Sequence, residues 1–298
     1  MHELIKLAKG ILAPTDLSPG GQLRPEAAER LITLVAAAGF MKNVTVRRMK
    51  RLTADVSVIG IAARSLVRVA EGATPTDAQR IGATQHGCTL TALPVQLFPQ
   101  MALSALRDNA DNPNLVTEIE QALANRMEAE LEDLAFNGVN DNNAGGFTTL
   151  NKGWVQIASE AASPTVKVDI NPAGAGGWRA ALKQLYDACP EVYRPQAAFI
   201  MNTGDADAYA YELGMQVSGQ ALLSESPLRS FLGRPILTSP YCPAGRVLFT
   251  PPQNLIFGIT TEIWQKRRFD DDARALRWVF DFAVDYEIAI KPACVYGY

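Results

Sequence analysis

ALRWVFDFAVDYEIAIK, residues 275–291, alternates apolar and polar side chains almost without a slip. Leu276, Trp278, Phe280, Phe282, Val284, Tyr286, Ile288 and Ile290 fall on one face. Arg277, Asp281, Asp285, Glu287 and Lys291 fall on the other, with Val279, Ala283 and Ala289 between them. Period two is the signature of a half-buried β-strand. Strands usually run about 5 or 6 residues, so this pattern lasts roughly three times as long as most. Directly upstream, LIFGITTEIWQKRR (255–268) reads as a second long strand, with FDDDAR as the hairpin turn between the two. A ribbon of this length is too long for an ordinary enzyme core.

The partner that such a ribbon needs is a long apolar stripe, and NPNLVTEIEQALANRMEAELEDLAFNG (112–138) supplies one. Asn112 is placed to cap a helix and Pro113 suits its first position. Val116, Ile119, Leu123, Met127, Leu131 and Leu134 are spaced 3, 4, 4, 4 and 3, one stripe over five turns. Asn137 and Gly138 end the helix, with the glycine expected in a left-handed C-cap. About 24 helical residues span about 36 Å. The remaining faces carry Glu118, Glu120, Glu128, Glu130, Glu132 and Asp133, read as a solvated or partner-facing surface.

The other segments fall around these two. Residues 1–24 read as an arm broken by Pro14, Pro19, Gly20 and Gly21, and a helix follows from Pro25 to near Gly39. NVTVRRMKRLTADVSVIGIA is a β-branched strand whose Arg47, Arg48, Lys50 and Arg51 mark a solvated or inter-subunit face rather than a phosphate track. Thr53 to Gly87 read as a long hairpin with a polar tip that cannot build its own core. CTLTALPVQLFPQMALSAL returns as a strand, at an edge or bulge because of Pro94 and Pro99. From about 155 to 255, short strands and helices alternate in a compact mixed α/β unit.

Composition narrows the function. The 298 residues hold 31 acidic and 28 basic side chains and 48% apolar residues, a soluble globular balance that does not call for nucleic acid or a membrane surface. Cys88, Cys189, Cys242 and Cys294 are scattered without a CxxC pair, against both a zinc site and a disulfide framework. The first residues lack a secretory signal and no apolar run reaches a membrane span of roughly 18 residues. The alternative reading is a nucleotide-phosphate-binding α/β enzyme using the glycine-rich VKVDINPAGAGGWRAAL, with Gly174, Gly176 and Gly177 in the loop. It fails at the third glycine, which is Arg179, and it has no GK[ST]. Asp270, Asp271 and Asp272 lack the spacing of a calcium loop, Asp205 and Asp207 read as a helix cap, and neither His2 nor His86 sits in a catalytic pattern. No catalytic, cofactor or metal site is expected.

The parts stand in a known order: GGQLRPE opening a helix, an extended hairpin, a strand, a long acidic helix ending in LEDLAFNG, then LNKGW, LGRPILTSP and a long terminal hairpin. Together they resemble the major capsid proteins of tailed bacteriophages, the Hong Kong 97 type fold. ELEDLAFNG looks like that family's spine helix, and GRPILTSPYCPAGRVLF is similar to its G-x-P-V-x-x-S strand and the strand after it. The resemblance implies an α+β fold with a long spine helix, a long β-hairpin sheet, an extended loop and a compact axial α/β domain. It implies an N-terminal arm at 1–24, a peripheral domain at 25–53, 89–154 and 256–290, an extended loop at 54–88, and an axial domain at 155–255 and 291–298. It implies a structural protein that assembles with itself as hexamers and pentamers in an icosahedral shell around double-stranded DNA. Its partners would be a scaffolding protein or protease, a portal and a decoration protein, with DNA touched only non-specifically and no membrane. It would belong to the virion capsid, assembled in a host bacterial cytoplasm, with a cellular nanocompartment shell as a variant. Arg64, Arg68, Glu71 and Arg80 are candidates for inter-subunit ion pairs on the extended loop. Residues 53–87 contain no lysine, so a lysine–asparagine weld from that loop is not expected. Some 24 residues precede the first helix, so a scaffold segment is expected to be separate or already removed.

Overall fold

The computed structural model describes residues 32–33, 39–61, 74, 83–104, 115–142, 144–174, 176–216 and 229–298. Its strands in chain order are β1 (Thr45–Met49), β2 (Thr53–Ile61), β3 (Ala83–Thr91), β4 (Leu93–Leu97), β5 (Gln100–Ala102), β6 (Val166–Val168) and β7 (Ala198–Asn202). There follow β8 (Ser230–Phe231), β9 (Arg234–Ser239), β10 (Val247–Thr250), β11 (Leu255–Thr260), β12 (Trp264–Asp270), β13 (Ala275–Ile288) and β14 (Val295–Gly297). The α-helices among the described residues are α1 (Leu115–Asn137), α2 (Trp154–Ser159), α3 (Gly177–Ala188) and α4 (Thr203–Gln216).

The alternating stretch forms β13, and its pairing explains its length. On one edge it runs antiparallel to β11 and then to β12. On the other edge it runs antiparallel to β4 and then to β5. β1 joins parallel to β11 and completes the sheet. One long strand thus hosts four partners of ordinary length. Pro94 and Pro99 fall on and beside β4, which pairs with β13 alone, where a missing donor is tolerated.

The strand expected over 255–268 is broken in two. Between the pairs Ile259–Val284 and Trp264–Asp281 stand four residues on one side and two on the other. The Thr260 side chain fills the gap in the ladder. Its Oγ1 accepts from the Ala283 N–H at 3.0 Å and donates to the Ala283 carbonyl at 3.3 Å, and Ile263 turns into the core. Such a bulge bends the strand and increases the local twist. At the far end, Asn254 clamps β13: its carboxamide accepts from Ile290 N at 2.7 Å and donates to Ile290 O at 2.9 Å.

α1 lies across the inner face of this sheet. Trp278, Phe280, Phe282, Val284, Tyr286 and Ile288 are buried in one cluster with Met127, Leu131 and Leu134, while Ile119 and Leu123 pack against it partly covered. The side chain of Val116 and the expected cap at Asn112 and Pro113 lie outside the described residues. Trp154 of α2 seals the contact, edge-on to Phe136 at 5.6 Å and to Tyr286 at 5.7 Å. Its Nε1 donates to Ile256 O at 3.1 Å, and Tyr286 Oη donates to Leu131 O at 2.9 Å, so both polar tips are satisfied inside the core.

Two expectations for the helix change. Gly138 is not among the left-handed residues; it is needed because a Cβ there would come within 2.3 Å of Asn151 O, where the chain returns to bond Gly153 N to Gly138 O at 2.9 Å. Glu132 is not on a solvated face. It is buried, its Oε2 accepts from Phe40 N at 3.1 Å and its Oε1 from Ser239 Oγ at 2.5 Å. A carboxylate with two donors is compatible with burial, and here it ties three distant segments together.

The second sheet has the order β6-β14-β10-β7-β9-β8. One face packs on Trp178, Leu182 and Leu185 of α3 and Tyr209 of α4. The other contributes Ile200, Leu248 and Tyr296 to the same cluster that holds α1. The two sheets therefore share one continuous apolar core.

Phe280→Asp should abolish folding. Removing a buried Phe costs about 3–5 kcal/mol before the charge is counted, against a total stability of about 5–15 kcal/mol. Phe280→Leu, which keeps most of the apolar volume, should lower stability by less than half as much in urea titration. Intact subunits from the aspartate variant would refute the inward orientation.

Candidate assembly interface

The outer face of the first sheet is covered over only part of its length. Met49, Ile256 and Ala283 from the sheet meet Val56 of β2, Leu90 of β3 and Ala92 in a separate small cluster. These residues seat the base of the β2–β3 hairpin, which is paired from Thr53–Thr91 to Ile61–Ala83. The seat needs a residue without a side chain at its centre. A Cβ at Gly258 would come within 2.9 Å of Met49 Sδ and 3.2 Å of Leu90 Cδ1.

The hairpin covers a carboxylate that the alternation assigned to a free acidic face. Asp285 Oδ2 accepts from Thr91 N at 2.6 Å and Oδ1 from Tyr286 N at 2.9 Å. Those donors favour the anion, but burial and the neighbouring Glu287 and Asp141 outweigh them and hold the Asp285 carboxyl at about 6. Glu287 is raised too, chiefly by burial, against the opposing pull of Lys291 at 3.8 Å. Asp281 is bonded to Gln96 Nε2 at 3.0 Å. Cys88, Glu287 and Lys291 line a groove of roughly 390 Å³ beside the hairpin. The acidic side of β13 is thus a hairpin seat as well as a surface.

The remaining candidate residues fall as follows. Arg64, Arg68, Glu71 and Arg80 lie outside the described residues, as do the arm 1–24 and, of the helix expected from Pro25 to near Gly39, residues 25–31 and 34–38. Arg47 and Arg48 are exposed on β1, and Arg48 donates to Thr33 Oγ1 at 3.1 Å. Asp270 accepts from Ala273 N at 3.1 Å and pairs with Arg277 at 2.5 Å; the turn donor and the arginine hold its carboxyl below the usual range. Asp205 accepts from Gly245 N at 2.7 Å, joining α4 to the loop before β10. Among the described residues, no cluster of three His, Cys, Asp or Glu is arranged to hold a metal, and no helix is long and apolar enough to cross a membrane. Cys189, Cys242 and Cys294 are buried, and burial pushes their thiols up.

The glycine-rich loop does not present a phosphate cradle. Gly174 N bonds Asn171 O at 3.1 Å and Gly177 N bonds Gly174 O at 3.0 Å. At the start of α3, Trp178 N donates to Glu212 Oε2 at 2.7 Å. A carboxylate of the same chain occupies the place where a helix N-terminus would take an anion.

Among the described residues, the surface that remains is the exposed side of α1, the exposed part of the outer sheet face and the base of the β2–β3 hairpin seated on it. A model of the phage capsid family matches residues 24–287, almost the whole of this arrangement. The chain belongs to the phage capsid family. Solved capsid structures share its fold: the satellite phage P4 procapsid including size determination protein, with a TM-score of 0.65, 14% identity, and coverage of 90% of this chain and 98% of that one. The capsid of an empty GTA particle gives a TM-score of 0.64 at 16% identity, with 88% and 89% covered. Gordonia phage Cozz gives 0.59 at 13%, with 87% and 85% covered. No individual curated protein matches by sequence. The fold is the α+β Hong Kong 97 type, and the protein is a structural major capsid protein.

Asp285 sets a pH dependence. Its folded-state pKa lies above its unfolded value of 3.8, so the folded state binds the extra proton and loses stability as pH rises from about 4 to 6. At neutral pH the penalty is at most about 3 kcal/mol. Asp285→Asn, which keeps an acceptor for Thr91 N, should therefore match the parent near pH 4 and exceed it in melting temperature near pH 7.5. An asparagine variant less stable at both pH values would contradict this.

Proposed function

We propose that this capsid subunit assembles with itself as hexamers and pentamers of an icosahedral shell enclosing double-stranded DNA, in the head of a tailed phage. The observation that carries the reading is the family match over residues 24–287, laid on a chain whose first sheet is, among the described residues, exposed over part of its outer face. The first sheet with α1 corresponds to the peripheral domain (25–53, 89–154 and 256–290). The second sheet with α3 and α4 corresponds to the axial domain (155–255 and 291–298) at the capsomer centre. The β2–β3 hairpin is the base of an extended loop (54–88) lying on a neighbour, with Arg64, Arg68, Glu71 and Arg80 in contact with it. Large numbers of weak exposed pairs suit a shell, because each is worth only about 0–1 kcal/mol alone.

Partners follow from the same reading: a scaffolding protein or protease, a portal and a decoration protein, with assembly in the host bacterial cytoplasm and the finished product in the virion. The proposed role is structural, without a catalytic step. Thr165 and Glu132 are buried and held in hydrogen bonds to their own chain.

Expression with its assembly partners, followed by size-exclusion chromatography and negative-stain microscopy, tests the proposal. Closed particles of uniform diameter are expected. On a denaturing gel those particles should run as single chains, because residues 53–87 offer no lysine for a weld. A monomer or dimer that binds nucleotide and never closes into shells would overturn the reading.

A further inference from the structure

The β2–β3 hairpin rests on the first sheet through a small seat. Six buried residues make its apolar part, Met49, Val56, Leu90, Ala92, Ile256 and Ala283, and two of them are alanines. Apolar stabilisation scales with the area covered, so a seat this small leaves much of the hold to its polar contact. That contact is Thr91 N on Asp285 Oδ2 at 2.6 Å, which ties the end of β3 to β13. Ala92 N on Leu52 O at 2.7 Å closes the hairpin just beyond it, so β2 and β3 share one root.

The charges around this bond are lopsided. Glu287 follows on the same face of β13 and Asp141 approaches from the loop after α1, and both oppose a charge on Asp285. β11 sets Gly258 opposite Asp285 and brings no countercharge. From β3, Cys88 feels Asp285, Glu287 and Lys291. The nearby cations serve other carboxylates: Lys291 lies 3.8 Å from Glu287, and Lys152 pairs with Glu160 at 3.0 Å. Lys167 donates to Glu160 O. Among the described residues, no lysine or arginine pairs with Asp285 itself.

We propose that Asp285, with Glu287 beside it, is a proton-operated latch on the hairpin: the protonated carboxyl holds the root of β2–β3 against the sheet, and the ionised one releases it. Lifting the root returns Asp285 to water, where an ordinary carboxylate is well solvated, so ionisation favours the lifted form. The seated carboxyl titrates at about 6, above its ordinary 3.8. The seated form therefore binds the proton more tightly; its hold is full below about pH 4 and is lost as pH rises through about 6. The latch acts within a single subunit, so its success or failure is separate from whether shells close.

Cys88 reports the state of the seat, because it is half-covered at the root while Cys189, Cys242 and Cys294 are buried. Its reaction with dithiodipyridine is timed by mass spectrometry in the unassembled full-length subunit, parent against Asp285→Asn. Asparagine imitates the protonated acid at every pH, and the parent-to-variant ratio of rates cancels the reagent's own pH dependence. That ratio should rise roughly tenfold from about pH 5 to about pH 7.5. Loss of the Asp285 charge by itself would ease ionisation of the variant's thiol and push the ratio the other way, so a rise reports the lifted seat. Glu287→Gln, which removes the like charge, should move the rise to lower pH. A flat or falling ratio would overturn the proposal. So would Cys242 reacting in step with Cys88, since the core would then be opening as a whole. An asparagine variant that fails to fold would contradict it equally, because the acid it imitates is the form said to hold the hairpin down.

Discussion

Everything in the first sheet depends on β13 having neighbours on both edges and a helix on one face. A strand of 14 residues leaves that many backbone donors and acceptors to satisfy. β11 and β12 satisfy one edge and β4 and β5 the other, with Thr260 Oγ1 standing in where the ladder skips. The inner face is then closed by α1, and the Trp154–Tyr286–Phe136 cluster fixes the helix end against the strand. Remove the strand and β4, β5 and β12 lose the pairing that holds them in the sheet, while β11 keeps only β1.

The second constraint is Glu132. A buried carboxylate is expensive to desolvate, and it persists here because Phe40 N and Ser239 Oγ both donate to it. Those donors come from the segment before β1 and from the end of β9. The same glutamate therefore fastens the spine helix to the chain's entry and to the second sheet. Asn137 does similar work one turn later, donating to Tyr241 O at 2.8 Å. Together with the shared apolar core, these bonds join the two sheets through the helix.

Function in this molecule is a matter of surfaces rather than of a pocket. The places that resemble enzyme sites are occupied by the chain's own groups: Glu212 at the α3 N-terminus, Gly245 N on Asp205, Ala273 N on Asp270. Among the described residues, the outer sheet face past the hairpin is exposed at Lys50, Leu52, Trp264 and Lys266. The carboxyl of Asp285, raised by burial beneath β3, makes the seat of that hairpin responsive to protonation.

Much of this was legible from residues alone. Period-two alternation over 275–291 and the 3-4-4-4-3 stripe over 116–134 are local patterns, written wherever one face is buried, and they gave the strand, the helix and the faces that meet. Arg179 at the third glycine position by itself speaks against nucleotide binding. What only tertiary structure decided were the contacts between distant segments. The break at 260–263 exists because β13 offers two residues where its partner has four, a register no local pattern records. Glu132 looked like its solvated neighbours, since a glutamate's burial depends on donors 92 and 107 residues away. Gly138 looked like a left-handed cap, but the requirement comes from the backbone of Asn151 crossing it. And the acidic side of β13 read as free, because nothing in 281–287 reveals that a hairpin from 53–91 folds back over it.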